Sequence, residues 1–358
     1  MNKNSSIAIV AGIAIAIAVI ASVLAFSGIS NDSTPMESPE QANLVPQAEK
    51  ITILTSFYPY HEFTKNVAGD FANVKQFMPS GVEAHDWEPR AQEIQSLKDA
   101  DVFVYNGLGM ESYIENIIES GEFDNVVFLK ASEGVELLKF EDDHDDHAKH
   151  DDHDDHDEHA KEDDHDDHDE HEEGGHDGHD HDYEFDPHIW LDPILVKQQV
   201  NVIRDGLIQV DPDNKEHYEE NARIYNDKMD ASDMKIGSAL SSCQKDTIVP
   251  YHNAFTYLGE RYDIHIMALG GMAPDSEASA AEIAEFVDFV KDNDIKVIFS
   301  EELVDPRLAE VIAEEANAQV MLFSPLEALS KEEAATNVSY IDKMEDNLDS
   351  LKVALECQ

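Results

Sequence analysis

The sequence predicts an α/β protein of two lobes, each built from parallel βα units, joined by one long helix. Three observations carry that prediction. Short β-branched or apolar runs alternate with helical stretches across residues 50–210 and again across 243–358, the pattern of parallel βαβ connections. Between the two series, residues 211–242 hold a long helical stretch whose charge is spread around the helix, as suits a helix lying along the outside and joining two bodies. A chain of 358 residues is also more than a single core usually encloses.

The elements follow in order. Ile7 to Phe26 are twenty consecutive apolar or small residues, about 30 Å of helix and enough to cross a bilayer. Residues 1–27 are therefore read as a signal peptide or membrane anchor. The anchor is favoured because a cleaved leader has a shorter apolar core, with Ala25-Phe26-Ser27 as the alternative cleavage site. No cysteine lies nearby to carry a lipid. Either way the rest is exported. Residues 28–49, rich in Ser, Pro, Glu and Gln, read as a flexible tether.

The globular pattern starts with the strand ITILTSF. Tyr58-Pro59 opens a helix containing Phe63, Val67 and Ala68. FANVKQFMP is a second strand, and the Pro79-Ser80-Gly81 turn after it delivers His85, Asp86, Trp87 and Glu88. A helix over Ala91–Asp99, the strand DVFVYNG, a helix around Glu111–Glu119 and the strand NVVFLKA complete the first series. DPHIWLDP, residues 186–193, precedes a helix from Ile194 to Ile208. Asp211–Asn214 breaks the chain before the long helix at 215–240. The second series runs TIVPYH (strand), Ala254–Arg261 (helix), DIHIMAL (strand), a loop over 270–279, Ala280–Asp292 (helix), IKVIFSE (strand), Pro306–Ala316 (helix), AQVMLFSP (strand) and a terminal helix over Lys331–Leu355.

Charge narrows the function. A formal net charge of -54 repels a phosphate backbone and excludes nucleic acid as a partner; cations are the natural partners. The charge is concentrated in an insert at 141–182, where 23 acids face only Lys149 and Lys161. Twelve of the 18 histidines lie there, at 144, 147, 150, 153, 156, 159, 165, 168, 171, 176, 179 and 181, and DDHDDHDEH occurs twice. With almost no apolar side chains the insert has no means of forming a core. Imidazole interleaved with carboxylate at this density reads as a multivalent collector of weakly held metal: His144, His147, His150, His153, His156, His159, His165, His168, His171, His176, His179 and His181.

Three other histidines have a different setting. His85, His188 and His252 each follow a strand or a proline-marked turn, at the carboxyl ends of strands where α/β proteins place their ligands. His188 also borders the apolar Ile189-Trp190-Leu191, and a buried imidazole beside carboxylates needs a reason. Three neutral nitrogens converging on one metal ion supply it. His61 and His265 lie inside element patterns and His217 on an exposed helix, so these three are read as structural. Beyond a strand end, FSEELVDPR offers Glu301, Glu302 and Asp305 as a fourth ligand. Asp305 is favoured, although Asp before Pro306 also suits a helix cap; Glu83 or water could fill the position instead. Three borderline nitrogens and one oxygen suit tetrahedral zinc better than manganese. Cys243 and Cys357 are either one disulfide, closing a loop of about 115 residues worth ~4–5 kcal/mol in an oxidising compartment, or two separate buried thiols.

These residues carry a resemblance. TSFYPY, GVEAHDWEP, DVFVYNGLGME, DPHIWLDP, YHNAFTYL and SEELVDPR together resemble the zinc and manganese family of solute-binding proteins of ABC transporters, over residues 50–358. The acidic histidine-rich insert resembles its zinc-importing branch. The resemblance implies two βα lobes joined by a rigid helix with metal held between them, His85, His188 and His252 as ligands, and Asp305 at the position of the carboxylate ligand of manganese-binding members. It further implies an exported monomer that is not an enzyme and that delivers Zn2+ to a permease. Competing expectations are a manganese or iron importer subunit, a zinc hydrolase with an open fourth position, for which an HExxH helix is lacking, and a surface adhesin or metal store that works through the insert.

Overall fold

The computed structural model describes residues 50–139, 184–271 and 279–358. The N-terminal segment 1–27, the tether 28–49 and the insert 141–182 with its twelve histidines lie outside the described residues.

The first series folds as β1 (Ile51–Thr55), α1 (Tyr58–Ala68), β2 (Ala72–Gln76), α2 (Ala91–Ser96), β3 (Val102–Tyr105), α3 (Ile114–Glu119) and β4 (Val127–Lys130). The four strands form one parallel sheet in the order β2-β1-β3-β4. β1 and β3 are central and nearly continuous in apolar residues, as strands covered on both faces must be. α1 begins with Pro59 in its first turn, where the missing N–H costs nothing.

α4 (Pro193–Val210) and α5 (Lys215–Leu240) come next. Asp192 caps α4, its side chain accepting the N–H groups of Ile194 and Leu195. Gly206 lets α4 lie close on the sheet, because a Cβ there would sit 2.5 Å from the Leu129 side chain. The 26 residues of α5 span about 39 Å. The helix is not polar all round: Tyr218, Ala222, Tyr225, Met229, Ser232 and Ile236 are buried, one stripe at alternating spacings of four and three. That stripe packs on α1, α4 and α10 (Tyr340–Ala354), so α5 is bonded into the core along its length.

The second series contains β5 (Thr247–Ile248), α6 (Thr256–Tyr262), β6 (His265–Ile266), α7 (Ala280–Asp292), β7 (Val297–Ser300), α8 (Arg307–Ala316), β8 (Gln319–Leu322), α9 (Lys331–Thr336) and α10. β5 pairs with β6 and β7 with β8, all parallel, and the Phe299 N–H donates to the Val249 carbonyl at 2.8 Å to bring the pairs side by side. β5 stops early because Pro250 has no N–H to continue a ladder. The expected terminal helix is two helices. Asn337 turns left-handed (φ 55°) at the end of α9, and Ser339 restarts the chain through a capping box with Asp342.

The core has a large central cluster that includes Ile53, Trp190, Tyr225, Phe299 and Tyr340, drawing on both series and on α5. A smaller cluster lies around Phe103 and Phe123, another around Val249, Phe286 and Ile298. Cys243 and Cys357 are bonded across 114 residues of sequence, tying the segment after α5 to the C-terminus. Among the described residues no helix is long and apolar enough to cross a membrane.

Candidate metal centre

Four side chains converge where the strands of both series end. His85 lies in the loop after β2, and Glu83 shapes that loop by accepting the N–H groups of His85 and Asp86, both at 3.0 Å. His188 follows Pro187. One oxygen of Asp186 accepts its backbone N–H at 2.9 Å and its ring Nδ1–H at 2.8 Å. His252 follows β5, and Glu301 accepts its backbone N–H at 3.1 Å and its Nδ1–H at 2.7 Å. Glu327 lies just beyond β8. The side chains of His85, His188, His252 and Glu327 are 2%, 0%, 0% and 6% exposed.

Ionised carboxylates only accept hydrogen bonds, so Asp186 and Glu301 fix the proton on Nδ1 in the neutral ring and turn the Nε2 lone pair inward. Nε2 of His188 lies 3.4 Å from Nε2 of His85. Oε1 of Glu327 is 3.4 Å from Nε2 of His85, 3.4 Å from that of His188 and 3.5 Å from that of His252. All four donor atoms fall within 4.8 Å of one another. Such separations are long for N–H···O hydrogen bonds, which centre near 2.9–3.0 Å. The four separations of 3.4–3.5 Å match the edge of a tetrahedron around an ion with bonds of about 2.0–2.1 Å, which is about 3.3–3.4 Å. Nε2 of His252 is buried with no hydrogen-bond partner, a state that costs free energy unless a ligand satisfies it. The donor set therefore fits a small divalent cation.

The electrostatics agree. Burial pulls the His188 and His252 imidazoles down, but Asp186 with Glu327, and Glu301 with Glu327, outweigh it and hold both above the ordinary histidine value. Burial pushes Glu327 up, and the three imidazoles overcome it to hold the carboxyl well below its usual range. His85 is the exception, since burial prevails and lowers it. Three buried carboxylates thus call for positive charge, and a metal ion meets that demand with better geometry than protons do.

The structure brings together His85, His188 and His252 and leaves Asp305 out. Asp305 is exposed, with its carboxylate accepting the Arg307 N–H at 3.0 Å and the Arg307 Nε–H at 2.8 Å. Pro306 is the N-cap of α8, and the Asp305 carboxylate instead bonds Arg307, the first residue of the helix, in solvent and at no desolvation cost. Glu83 stands beside Glu327, and burial, followed by repulsion from Glu327, pushes its carboxyl up to about 8. Glu301 orients His252 instead of joining the shell, and Glu302 pairs with the buried Lys343. His61 on α1 lies near Thr55, His217 stacks on Phe71 at 3.8 Å and His265 is in β6; none of the three belongs to the cluster. Glu327 was missed although a signal existed. It follows AQVMLFSP, the last parallel strand, and the strand-end rule that selected the histidines applies there equally.

Three imidazoles and one carboxylate gathered where the parallel strands of both series end are the arrangement expected of a two-lobed metal-binding protein. Residues 53–354 match the family model described as "ZnuA: Zinc-uptake complex component A periplasmic", and the chain belongs to that family. It is 36% identical over 310 residues to the high-affinity zinc uptake system protein ZnuA of Bacillus subtilis, covering 86% of this chain and 89% of that protein. It is 37% identical over 307 residues to the zinc-binding lipoprotein AdcA of Streptococcus pneumoniae, covering 85% of this chain but only 55% of AdcA, so it spans about half of that relative. Among solved structures, the Zn(II)-bound ZnuA-like domain of S. pneumoniae AdcA superposes with a TM-score of 0.68 at 33% identity, covering 86% of this chain and all of that domain.

Proposed function

We propose that this protein captures one zinc ion outside the cytoplasm and hands it to the membrane permease of an ABC importer. His85, His188, His252 and Glu327 are the ligands and zinc is the cargo. The observation that carries the reading is that four buried donors, three Nε2 atoms and one Oε1, lie within 4.8 Å of one another, with the Nε2 of His252 otherwise unpartnered. Three nitrogens and one oxygen favour zinc over manganese, which takes more oxygens and a higher coordination number. Four protein donors leave no open position for an activated water, and this argues against hydrolysis. The zinc-uptake names of the relatives support the same cargo.

In this reading residues 50–210 and 243–358 are the two lobes and 211–242 the connection. The burial of α5 against α1, α4 and α10 limits how far the lobes swing. Residues 1–27 export or anchor the chain, the histidines of 141–182 gather zinc weakly, and the protein acts as a monomer. Titrating the metal-free chain with Zn2+ in chelator competition tests the proposal. One tight site plus several weak ones is expected, with the tight site abolished by His188→Ala and only the weak ones by deletion of 141–182. A chain without a tight zinc site, or one that prefers Mn2+, would sink it.

A further inference from the structure

The loop that carries Glu327 is held along its whole length. Asn347 on α10 is 3% exposed and pairs with Ser324 in both directions. Its Oδ1 accepts the Ser324 N–H at 2.8 Å and its Nδ2 donates to the Ser324 carbonyl at 2.7 Å. The Ser324 hydroxyl accepts the Leu326 N–H at 3.2 Å. The Trp190 indole donates to the Pro325 carbonyl at 2.7 Å, and the Tyr58 N–H to the Glu327 carbonyl at 3.3 Å. Within this frame Leu326 is fully buried with φ +58°, a left-handed conformation that a leucine rarely adopts. Such a conformation persists only where its surroundings over-determine it, and it marks places where function needs a fixed geometry.

We propose that Asn347 is a positioning residue for Glu327: its two-way clamp on Ser324 fixes the loop so that the Glu327 carboxylate reaches the three imidazoles as the fourth donor. The inference rests on the zinc-binding reading of that centre. A free carboxylate on a loose loop would sample many rotamers and yield its place to water, leaving a three-histidine site. The clamp removes that freedom before the metal arrives. α10 serves the centre at two further points. Tyr340 Oη donates to the Trp190 carbonyl at 2.5 Å, two residues from His188, and Lys343 pairs with Glu302, next to Glu301.

The test is a double-mutant cycle in the full chain. Asn347→Leu removes both bonds while keeping the branched shape of the side chain, and it is made in the wild-type and Glu327→Gln backgrounds. Zinc affinity is read by chelator competition, and coordination by the visible absorption of the Co2+ form. With Glu327 present, Asn347→Leu is expected to weaken zinc by about tenfold and to reduce the intense absorption of four-coordinate Co2+. In the Glu327→Gln background the same change is expected to alter zinc affinity by less than about twofold. Equal losses in both backgrounds, or no loss with an unchanged Co2+ spectrum, would overturn the proposal. Should Asn347→Leu fail to fold, Asn347→Asp, which keeps the acceptor for the Ser324 N–H and loses the donor to the Ser324 carbonyl, enters the same cycle. A smaller loss that vanishes in the Glu327→Gln background supports the proposal, and a loss independent of that background overturns it. Wild-type protein that holds no zinc would overturn the functional reading together with this one, whereas tight wild-type binding with an indifferent cycle overturns only the role of Asn347.

Discussion

Glu301 holds His252 by two bonds, one carboxylate oxygen on the ring Nδ1–H at 2.7 Å and the other on the backbone N–H at 3.1 Å. Asp186 does the same for His188 with a single oxygen. Each imidazole therefore presents Nε2 to the centre in a set orientation, and the tautomer is decided before a metal binds. Glu301→Ala is expected to weaken zinc ~10–100-fold, the usual cost of losing an outer-sphere carboxylate, while the Co2+ form keeps its four-coordinate spectrum. Chelator competition and visible absorption measure both. Unchanged affinity would show that His252 needs no orienting partner.

Asp305 and Glu327 make opposite predictions. Asp305→Asn removes a charge that touches Arg307 at the start of α8, so zinc affinity should change by less than about twofold, and stability should hardly move because the pair is solvent-screened. Glu327→Gln removes a donor from the shell and the charge that three imidazoles surround, and should cost more than the ~100-fold upper end for outer-sphere changes. Titrating both variants side by side decides which carboxylate completes the site. A larger effect at Asp305 would reverse the assignment.

That contrast shows what was legible in the sequence and what was not. Strand and helix order could be read because β1, β3 and β7 are runs of apolar and β-branched residues bounded by turn signals. His85, His188 and His252 stood out because each is a titratable residue at a strand end or beside Pro in an apolar setting. Glu327 was hidden by its surroundings. Its one signal is the strand end it follows, which a chain with 78 acidic residues dilutes, and what sets it apart beyond that is the left-handed turn at Leu326 and the clamp of Asn347, which sequence spacing does not express. The buried stripe of α5 was masked in the same way, because Glu, Lys and Asn on three sides of the helix hide a row of Tyr, Ala and Met on the fourth. The break at Asn337 depends on one left-handed residue inside an otherwise helical pattern.

His61 makes acid stability a test of the α1 end of the fold. Burial, followed by repulsion from Lys65, lowers its pKa to about 4. In the unfolded chain it titrates near the ordinary histidine value of about 6.5. Between these values the unfolded chain binds a proton that the native protein refuses, so stability falls as pH drops from about 6.5 to 4 and this group adds no further loss below that. Allowing for partial exposure, the effect is on the order of 1–3 kcal/mol. Urea unfolding of the metal-free protein at pH 7, 6 and 5 should show His61→Gln losing less stability than wild type across the window. Parallel curves would rule out His61 as a source of acid sensitivity.

Zinc affinity itself should depend on pH with a slope that counts protons. Coordination needs all three Nε2 lone pairs, so any proton on an imidazole must leave when the metal enters. In the metal-free centre, Asp186, Glu301 and Glu327 raise the pKa values of His188 and His252, whereas burial lowers that of His85. The raised pair stays protonated to higher pH than free histidine, so proton competition begins above the free-histidine range, and His85 adds nothing until the medium is more acidic. The logarithm of the zinc association constant should therefore rise with pH at a slope approaching two near and below pH 6.5, not three. Calorimetric titrations in buffers of different ionisation enthalpy should report nearly two protons released per ion in the same range. A count of zero would mean that the imidazoles enter the metal-free site already neutral, and the charge balance drawn from Glu327 and its two neighbouring carboxylates would then be wrong.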